Sequence, residues 1–403
     1  MFCRKPAGVL AGVQPRPAGR SFESSAPERP ELLPSGHVVT MPAATRNASQ
    51  MQRYDVTQLR NYCTEIFLRA GIPAEDAELT SAALVLTDMR GISSHGVLRA
   101  AHYITCIQAG GLRPDGRLEI TAAGGGFLRL SAAGGLGIPA AMRATDLLID
   151  HARTQAIAIA TLNHSDHYGA AGLYAQRCSD AGLLGFSMSN TCPMIAVTGA
   201  AAKGIGNNPF AYAAPGRRHR GILFDVCMSV VASGKIQIAA AENRKIPLGW
   251  IVDREGNPTD DPQHIYQGGS FLPFAGHKGY GFAVMVELLS GILANAGLLA
   301  EVRSWNKTPG RESNTGHCFL AINPAFFGGE EHFRQRTDQM IDSLTSVPKA
   351  PGCAQILYPG EIEFGHEADA LEHGVPLPEP SLDELKKAGK LVGLPFALPA
   401  VTA

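Results

Sequence analysis

The segment 90–99, RGISSHGVLR, places an imidazole and a guanidinium four residues apart, at His95 and Arg99. On an α-helix, residues i and i+4 share one face, so the two side chains would point the same way from a helix that Ser94 can cap. Arginine binds a carboxylate through two parallel hydrogen bonds, and histidine gives or takes a proton near neutral pH. The pair therefore suits a 2-carboxylate whose neighbouring carbonyl or alcohol reacts, although an exposed His with a surface Arg is an alternative.

Two further histidines, His164 and His167, lie in 163–172, NHSDHYGAAG, between a predicted strand and a predicted helix. Polar residues there sit at the carboxyl end of a strand, where α/β sheets bind ligands. The spacing offers no third ligand of the H-E-x-x-H kind. We therefore expect a ligand-facing loop and no metal site.

Two glycine-rich segments are candidates for cofactor contacts. Residues 201–215, AAKGIGNNPFAYAAP, predict a tight loop with free backbone N–H groups or a simple turn. Residues 274–282, FAGHKGYGF, predict an anion site at a helix N-terminus with Lys278, or an exposed cap. The GLGIPA run at 135–140 only imitates a dinucleotide fingerprint, since Pro139 and its surroundings fit poorly, so a Rossmann fold is not expected.

The elements that position these residues begin at Asp55. Helices are predicted over 55–71, 73–91 and 93–111. Further along, strands at 156–162, 183–190 and 221–229 alternate with helices at 169–182 and 234–244. This alternation favours an α/β fold.

The longest apolar run, 281–300, has the length of a membrane span, but Glu287 lies in its middle. A central carboxylate is costly in lipid, so we expect a fully buried helix of a soluble core.

The composition bounds the class of protein. A chain of 403 residues predicts two or three domains or one large α/β domain. The net charge of -1 offers no footprint for nucleic acid or a membrane surface. The eight cysteines are scattered with no C-x-x-C pair, which favours the reducing cytoplasm over a disulfide framework. A cytoplasmic enzyme acting on small molecules is expected.

Residues 1–50 differ from the rest by many prolines and no apolar period. We expect a disordered tail, or a mis-assigned start with the true start at Met41 or Met51. A transit peptide is less favoured because Glu23, Glu28 and Glu31 are acidic.

Seven segments spread over 55–390 together resemble the malate/L-lactate dehydrogenase family, which includes sulfolactate and ureidoglycolate dehydrogenases and Δ1-piperideine-2-carboxylate reductases. They are, in order, DMRGISSHGVLR, DHYGAAGLYA, GIGNNPFAYAAP, SGKIQIAA, IPLGWIVDREGNPTDDP, GGSFLPFAGHKGYGFAVMVELLSGIL and GHCFLAINPAFF. The resemblance implies a non-Rossmann α/β fold with a discontinuous helical substrate and dimer domain, 51–167 plus 350–403. It also implies an NAD(P)-binding α/β domain, 168–349, and a homodimer with the site near the subunit interface.

The resemblance also implies roles for individual residues. His95 would transfer the proton at the substrate oxygen or imine nitrogen, Arg99 with Ser94 would bind the substrate carboxylate, and His167 would lie by the nicotinamide and the substrate. The residues implied to contact NAD or NADP are Asn207, Asp225, Val226, Cys227, Met228, Ser229, His277, Lys278, Gly360 and Glu361.

The implied reaction moves a hydride between nicotinamide and C2 of a malate-like or L-lactate-like 2-hydroxy acid. The alternatives on the same scaffold are reduction of a cyclic ketimine and dehydrogenation of ureidoglycolate or sulfolactate. The chain departs from the family pattern at Asp166, Tyr168 and Asn207, where Asn, Phe and Thr are usual, and at Ile362, where Arg is common. These positions concern substrate and cofactor contacts, so the choice of substrate and of NAD or NADP stays open.

Overall fold

The computed structural model describes residues 51–304 and 307–401. The tail or mis-assigned start expected for residues 1–50 lies outside the described residues. The α-helices are α1 (Val56–Arg69), α2 (Ala74–Met89), α3 (Ala100–Ala109), α4 (Gly137–Ala152), α5 (Gly172–Asp180), α6 (Ser233–Ala241), α7 (His277–Glu287), α8 (Glu330–Thr345), α9 (Glu361–His373) and α10 (Glu379–Leu391). The strands are β1 (Gln52–Tyr54), β2 (Glu119–Gly124), β3 (Phe127–Ser131), β4 (Ile157–Ser165), β5 (Leu184–Ser189), β6 (Pro193–Ala196), β7 (Lys203–Gly206), β8 (Phe210–Ala214), β9 (Ile222–Val226), β10 (Ile251–Val252), β11 (Pro258–Thr259), β12 (Ser270–Phe271), β13 (Thr315–Ile322) and β14 (Val375–Leu377).

The first two helices follow the local signals in the sequence. The Asp55 carboxylate accepts the Gln58 N–H at 2.8 Å and caps α1, whose apolar stripe from Leu59 to Phe67 is buried. Helix α2 begins directly after Pro73, with two acidic residues in its first turn. Both helices are confirmed where the capping residues place them.

The third helix was predicted to start at the serine pair, and this is wrong. Two short 3₁₀ turns, Ser93–His95 and Val97–Arg99, precede α3, and the extended Gly96 (φ -86°, ψ -150°) separates them. The cause is the buried Asp88, whose Oδ2 accepts the Val97 N–H at 2.7 Å. That contact replaces a helical hydrogen bond, so no single α-helix carries His95 and Arg99.

The main sheet has seven strands in the order β2-β3-β4-β13-β5-β8-β9. Strands β3 and β4 run parallel, and the other neighbours run antiparallel. Helix α4 packs on β4, and α5 packs on β5 and β8. Strands β2 to β4 belong to this sheet, so it spans the domain boundary expected at residues 167 and 168. All the described residues fall in one compact unit.

A five-stranded sheet, a two-stranded sheet and packed helices complete the architecture. The second sheet has five strands, in the order β11-β10-β12-β6-β7. Helix α1 packs against α2, and α3 packs against α10. Strand β1 pairs antiparallel with β14, so the two ends of the described chain come together. The mixture of helices and sheets is the α/β fold that the alternating pattern predicted.

The apolar run 281–300 does not form the fully buried helix that was expected. Helix α7 ends at Glu287, and one π-helical turn, Leu288–Ile292, follows. Phe282, Leu288 and Ile292 are 47%, 51% and 57% exposed, because the run lies on the surface with one face outward. Within the described residues, no helix is both long and apolar enough to cross a membrane.

The glycine-rich segment 201–215 is mostly strand. Strands β7 and β8 occupy its flanks, and only residues 207–209 form the connecting loop. The sequence predicts free backbone N–H groups in this loop, but the Asn207 N–H donates to Thr191 Oγ1 at 2.8 Å and is therefore not free.

Candidate active site

Ser94 connects the imidazole of His95 to the guanidinium of Arg99. Its hydroxyl oxygen lies 2.9 Å from His95 Nδ1, and its backbone carbonyl accepts the Arg99 Nε–H at 2.7 Å. Both side chains are half-buried. The two predicted residues therefore meet, held by Ser94 across the Gly96 break and not by a shared helical face.

His167 comes from the loop after β4, and its ring stacks on that of His95. The ring centroids are 5.4 Å apart, and the planes are inclined by 22°. Asp166 Oδ1 accepts the His167 backbone N–H at 2.6 Å, which fixes the turn that presents the ring. The structure thus joins two segments that lie about seventy residues apart in the sequence.

Burial and charge keep both imidazoles neutral. Burial, and secondarily the Arg99 cation, lower the pKa of His95 to about 3. Burial also lowers the pKa of His167 well below its usual range, and the Arg99 cation, like a proton on His95, acts in the same direction. A bound carboxylate would offset the charge of Arg99 and make a protonated imidazole less costly.

Asp88 is a residue that the sequence analysis missed. Its carboxylate is 2% exposed and lies against Gly96, where a Cβ would come within 2.1 Å of Oδ1. Burial raises its pKa to about 8. The sequence places Asp88 and Gly96 within one segment, DMRGISSHGVLR, but only the fold shows that the two residues are in contact.

Asp225, near the end of β9, faces the start of α5. Its Oδ2 accepts the Gly172 N–H at 2.6 Å, and the two residues line one small cleft with Ile92 and Ala170. Although part of the residue is exposed, its carboxylate is crowded by protein, which raises its pKa to about 6. Ile92 and Ala170 are each three residues along the chain from one of the stacked histidines, so the segments that carry His95 and His167 also line the cleft of Asp225.

The segment after Asp225 is bonded to the loop that carries Asn207. Asn207 Oδ1 accepts the Ser229 N–H at 2.8 Å, and the Asn207 carbonyl accepts the Met228 N–H at 3.0 Å. Cys227 Sγ lies 3.4 Å from the Ser229 hydroxyl, and Val226 ends β9. The Met228 side chain is 1% exposed in the core, so it offers no side-chain surface to a ligand.

His277 and Lys278 are exposed at the N-terminus of α7, directly after Gly276 with its positive φ of 62°. The Phe274 N–H donates to the Met228 carbonyl at 2.9 Å. This bond ties the entry of α7 to the segment that Asn207 holds. The predicted start of a helix at this segment is confirmed.

Gly360 and Glu361 begin α9 next to β9. Gly360 has a φ of 98°, and a Cβ there would meet Leu223 at 2.9 Å, two residues before Asp225. Glu361 Oε2 accepts the Tyr358 N–H at 3.2 Å and so stabilises the turn before the helix.

His164 does not join the cluster. Its Nδ1 lies 2.8 Å from a Glu312 carboxylate oxygen on the exposed surface. Across residues 51–304 and 307–401, no group of three His, Cys, Asp or Glu side chains is arranged to hold a metal ion.

Comparison with known proteins decides the family. Residues 54–386 match the family model described as malate/L-lactate dehydrogenase. The chain belongs to the malate/L-lactate dehydrogenase family. The resemblance drawn from the seven sequence segments is confirmed, and the chain is an oxidoreductase of the dehydrogenase and reductase kind.

Relatives within the malate/L-lactate dehydrogenase family carry different activities in their names. A malate dehydrogenase of Pyrococcus abyssi is 34% identical, over 84% of this chain and 94% of its own length. A ureidoglycolate dehydrogenase (NAD(+)) of Escherichia coli O157:H7 is 35% identical, over 76% and 87%. The crystal structure of a Δ1-piperideine-2-carboxylate reductase from Pseudomonas syringae superposes with a TM-score of 0.75 at 31% identity, over 84% and 99%. The non-Rossmann family fold expected from the sequence is therefore confirmed.

Proposed function

We propose that this chain is an NAD(P)-dependent dehydrogenase that moves a hydride between nicotinamide and C2 of a small 2-hydroxy or 2-oxo acid of the malate or L-lactate type. The observation that carries the proposal is the contact of Ser94 with both His95 and Arg99, at 2.9 Å and 2.7 Å. It puts an acid/base group and a carboxylate-binding group side by side, as the chemistry of a 2-hydroxy acid requires.

His95 transfers the proton. Its Nδ1 is engaged by Ser94, so Nε2 takes the proton of the C2 hydroxyl during oxidation and returns it to the C2 oxygen during reduction. Its low pKa keeps the imidazole unprotonated in the ligand-free protein, which is the form that a base needs.

Arg99 binds the carboxylate and orients C2. The Nε–H bond to the Ser94 carbonyl fixes the guanidinium beside His95 before a substrate arrives. A planar guanidinium that is already oriented loses little freedom on forming paired hydrogen bonds. The ring of His167 stacks on the ring of His95 and shields that face of the imidazole from water.

The donor chemistry of the neighbouring segments fits a dinucleotide. The N-terminus of α7 carries exposed Lys278, so helix dipole and side-chain charge both favour phosphate there. The rest of the dinucleotide would be held by Asn207, Ser229, His277 and the backbone of 225–229. Gly360 and Glu361 would lie at the edge of this cofactor site. When bound, nicotinamide donates or accepts the hydride.

Reduction of a cyclic ketimine is the second candidate. It is supported by the 31% identity to the piperideine-carboxylate reductase over 84% of this chain. A cyclic imine with a 2-carboxylate presents the same pair of groups, an anion for Arg99 and a basic atom for His95. Sulfolactate and ureidoglycolate are further 2-hydroxy acids, which would present a carboxylate to Arg99 and a C2 hydroxyl to His95 in the same way.

A substrate panel tests the proposal. Oxidation of NADH and of NADPH is followed with pyruvate, oxaloacetate and Δ1-pyrroline-2-carboxylate, and the His95→Ala protein serves as the control. Turnover of an oxo acid that depends on His95 supports a hydroxy-acid dehydrogenase, and preference for the imine supports the second candidate. Tight binding of a reduced cofactor with no turnover of any compound contradicts both.

We also propose that the enzyme is a homodimer in the cytoplasm. Phe282, Leu288, Ile292 and Leu293 are exposed apolar side chains on α7 and the turn that follows it, and they support a second copy of the chain as their cover. Free cysteines in the described chain support a reducing compartment. Sedimentation equilibrium at micromolar concentration tests the dimer, and a measured mass equal to that of a single chain contradicts it.

A further inference from the structure

The hydroxyl of Tyr103 lies within hydrogen-bond distance of a ring nitrogen of His167. Tyr103, on α3, is 2% exposed, and its oxygen is 2.6 Å from His167 Nδ1. The two rings are tilted by 37° with centroids 5.9 Å apart. A buried tyrosine hydroxyl needs a hydrogen-bond partner, and here that partner belongs to the candidate active site.

A second donor at the same nitrogen reveals where the proton of His167 sits. The Gly169 backbone N–H points at Nδ1 from 3.4 Å. A backbone N–H can only donate, so Nδ1 must present a lone pair. The Tyr103 O–H therefore donates to Nδ1 as well, and the ring hydrogen of neutral His167 is on Nε2.

His95 has no such constraint. Its Nδ1 faces the Ser94 hydroxyl at 2.9 Å, and a serine hydroxyl rotates to donate or to accept. His95 can therefore change its protonation state while it keeps this hydrogen bond. The two stacked imidazoles thus differ in the protonation states that their hydrogen-bond partners allow.

We propose that Tyr103 is a positioning residue that holds His167 as the Nε2–H tautomer. His167 then offers only a donor at Nε2, which stabilises negative charge on the C2 oxygen of a hydroxy acid, and proton transfer is left to His95. With the opposite tautomer, a lone pair at Nε2 would repel that oxygen. The role in catalysis rests on the proposed function, whereas the tautomer itself does not.

Imidazole ¹⁵N chemical shifts of the ligand-free protein test the tautomer directly. The His167 signals are assigned by their loss in His167→Gln. We expect a protonated Nε2 and an unprotonated Nδ1 in the natural protein, and a mixture of tautomers in Tyr103→Phe. A protonated Nδ1 in the natural protein overturns the proposal, whether or not any hydroxy acid is turned over.

Kinetics with whichever substrate the panel identifies provide the second readout. Tyr103→Phe should lower kcat by about tenfold with a smaller change in KM, because one charge-supporting hydrogen bond is weakened in the transition state. Tyr62→Phe is the matched control, since among the described residues the buried Tyr62 hydroxyl has no hydrogen-bond partner. Spectra and kcat of Tyr103→Phe that equal those of Tyr62→Phe also overturn the proposal.

Discussion

Arg99 Nε–H donates to the carbonyl oxygen of Ser94 at 2.7 Å, across the extended residue Gly96. This bond folds the arginine side chain back over the turn that presents His95. The cation consequently helps to lower the pKa of His95, although burial contributes more. Carboxylate binding and protonation of His95 are therefore coupled.

The first prediction concerns His95 itself. His95→Ala should lower kcat by about 10²- to 10⁴-fold, since it removes the group that we propose transfers the proton. Binding of the reduced cofactor, measured by fluorescence titration, should survive. His332→Ala, an exposed histidine on α8, is the control. Near-normal turnover of the His95 variant would remove it from this role.

Arg99→Lys should raise KM for acidic substrates by about ten- to hundredfold and change kcat less. Lysine keeps the charge but loses both the Nε–H bond to Ser94 and the planar pair of donors. Steady-state kinetics with the best substrate of the panel measure the effect. Arg153→Lys, on the surface after α4, controls for the exchange. An unchanged KM would contradict the carboxylate site.

Gly96→Ala should destabilise the fold and reduce activity. Its Cβ would lie 2.1 Å from Asp88 Oδ1, so either the carboxylate or the turn between His95 and Arg99 must move. We expect a loss of about 1–3 kcal/mol in the free energy of unfolding by urea. Gly365→Ala, inside α9 with nothing within 4 Å of its Cβ, should not destabilise. Equal behaviour of the two variants would exclude the steric role of Asp88.

Binding of a small carboxylate should take up protons. Oxalate at Arg99 offsets the cation and so raises the pKa of His95 from about 3. Proton uptake is then confined to the pH range between about 3 and the raised pKa, and the affinity for oxalate should increase as the pH falls into that range. Calorimetric titration in buffers of different ionisation enthalpy measures the uptake, and His95→Gln should abolish it. If the His95→Gln protein still takes up protons when oxalate binds, the protons go to a group other than His95.

The stability of the fold should fall in acid, partly through His317. This side chain is fully buried between the hydroxyls of Ser189 and Ser165, and burial lowers its pKa to about 3. The unfolded chain takes up the proton near the usual pKa of about 6.5, so the unfolded state binds more protons in the window between the two values. Stability from this group is present above that window and is lost as the pH falls through it.

His317→Gln should reduce the slope of the unfolding free energy with pH by about 1.4 kcal/mol per unit between about pH 4 and 6. Urea denaturation at several pH values measures the slope for both proteins. Parallel curves for the natural chain and the variant would show that His317 takes no part.

The sequence by itself determined the local elements and the kind of chemistry. The caps at Asp55 and Pro73 placed α1 and α2, because capping depends on residues a few positions apart. The seven segments that include His95 and His167 pointed to the family whose model matches residues 54–386.

Only the tertiary structure decided how those residues meet. The i,i+4 argument placed His95 and Arg99 close together, as they are, but the buried Asp88 breaks the helix between them. Helix α4 packs against both α2 and β4, and this packing between distant segments brings His167 to His95 and to Tyr103. Such contacts depend on packing across long sequence separations, and periodicity along the chain carries no information about them.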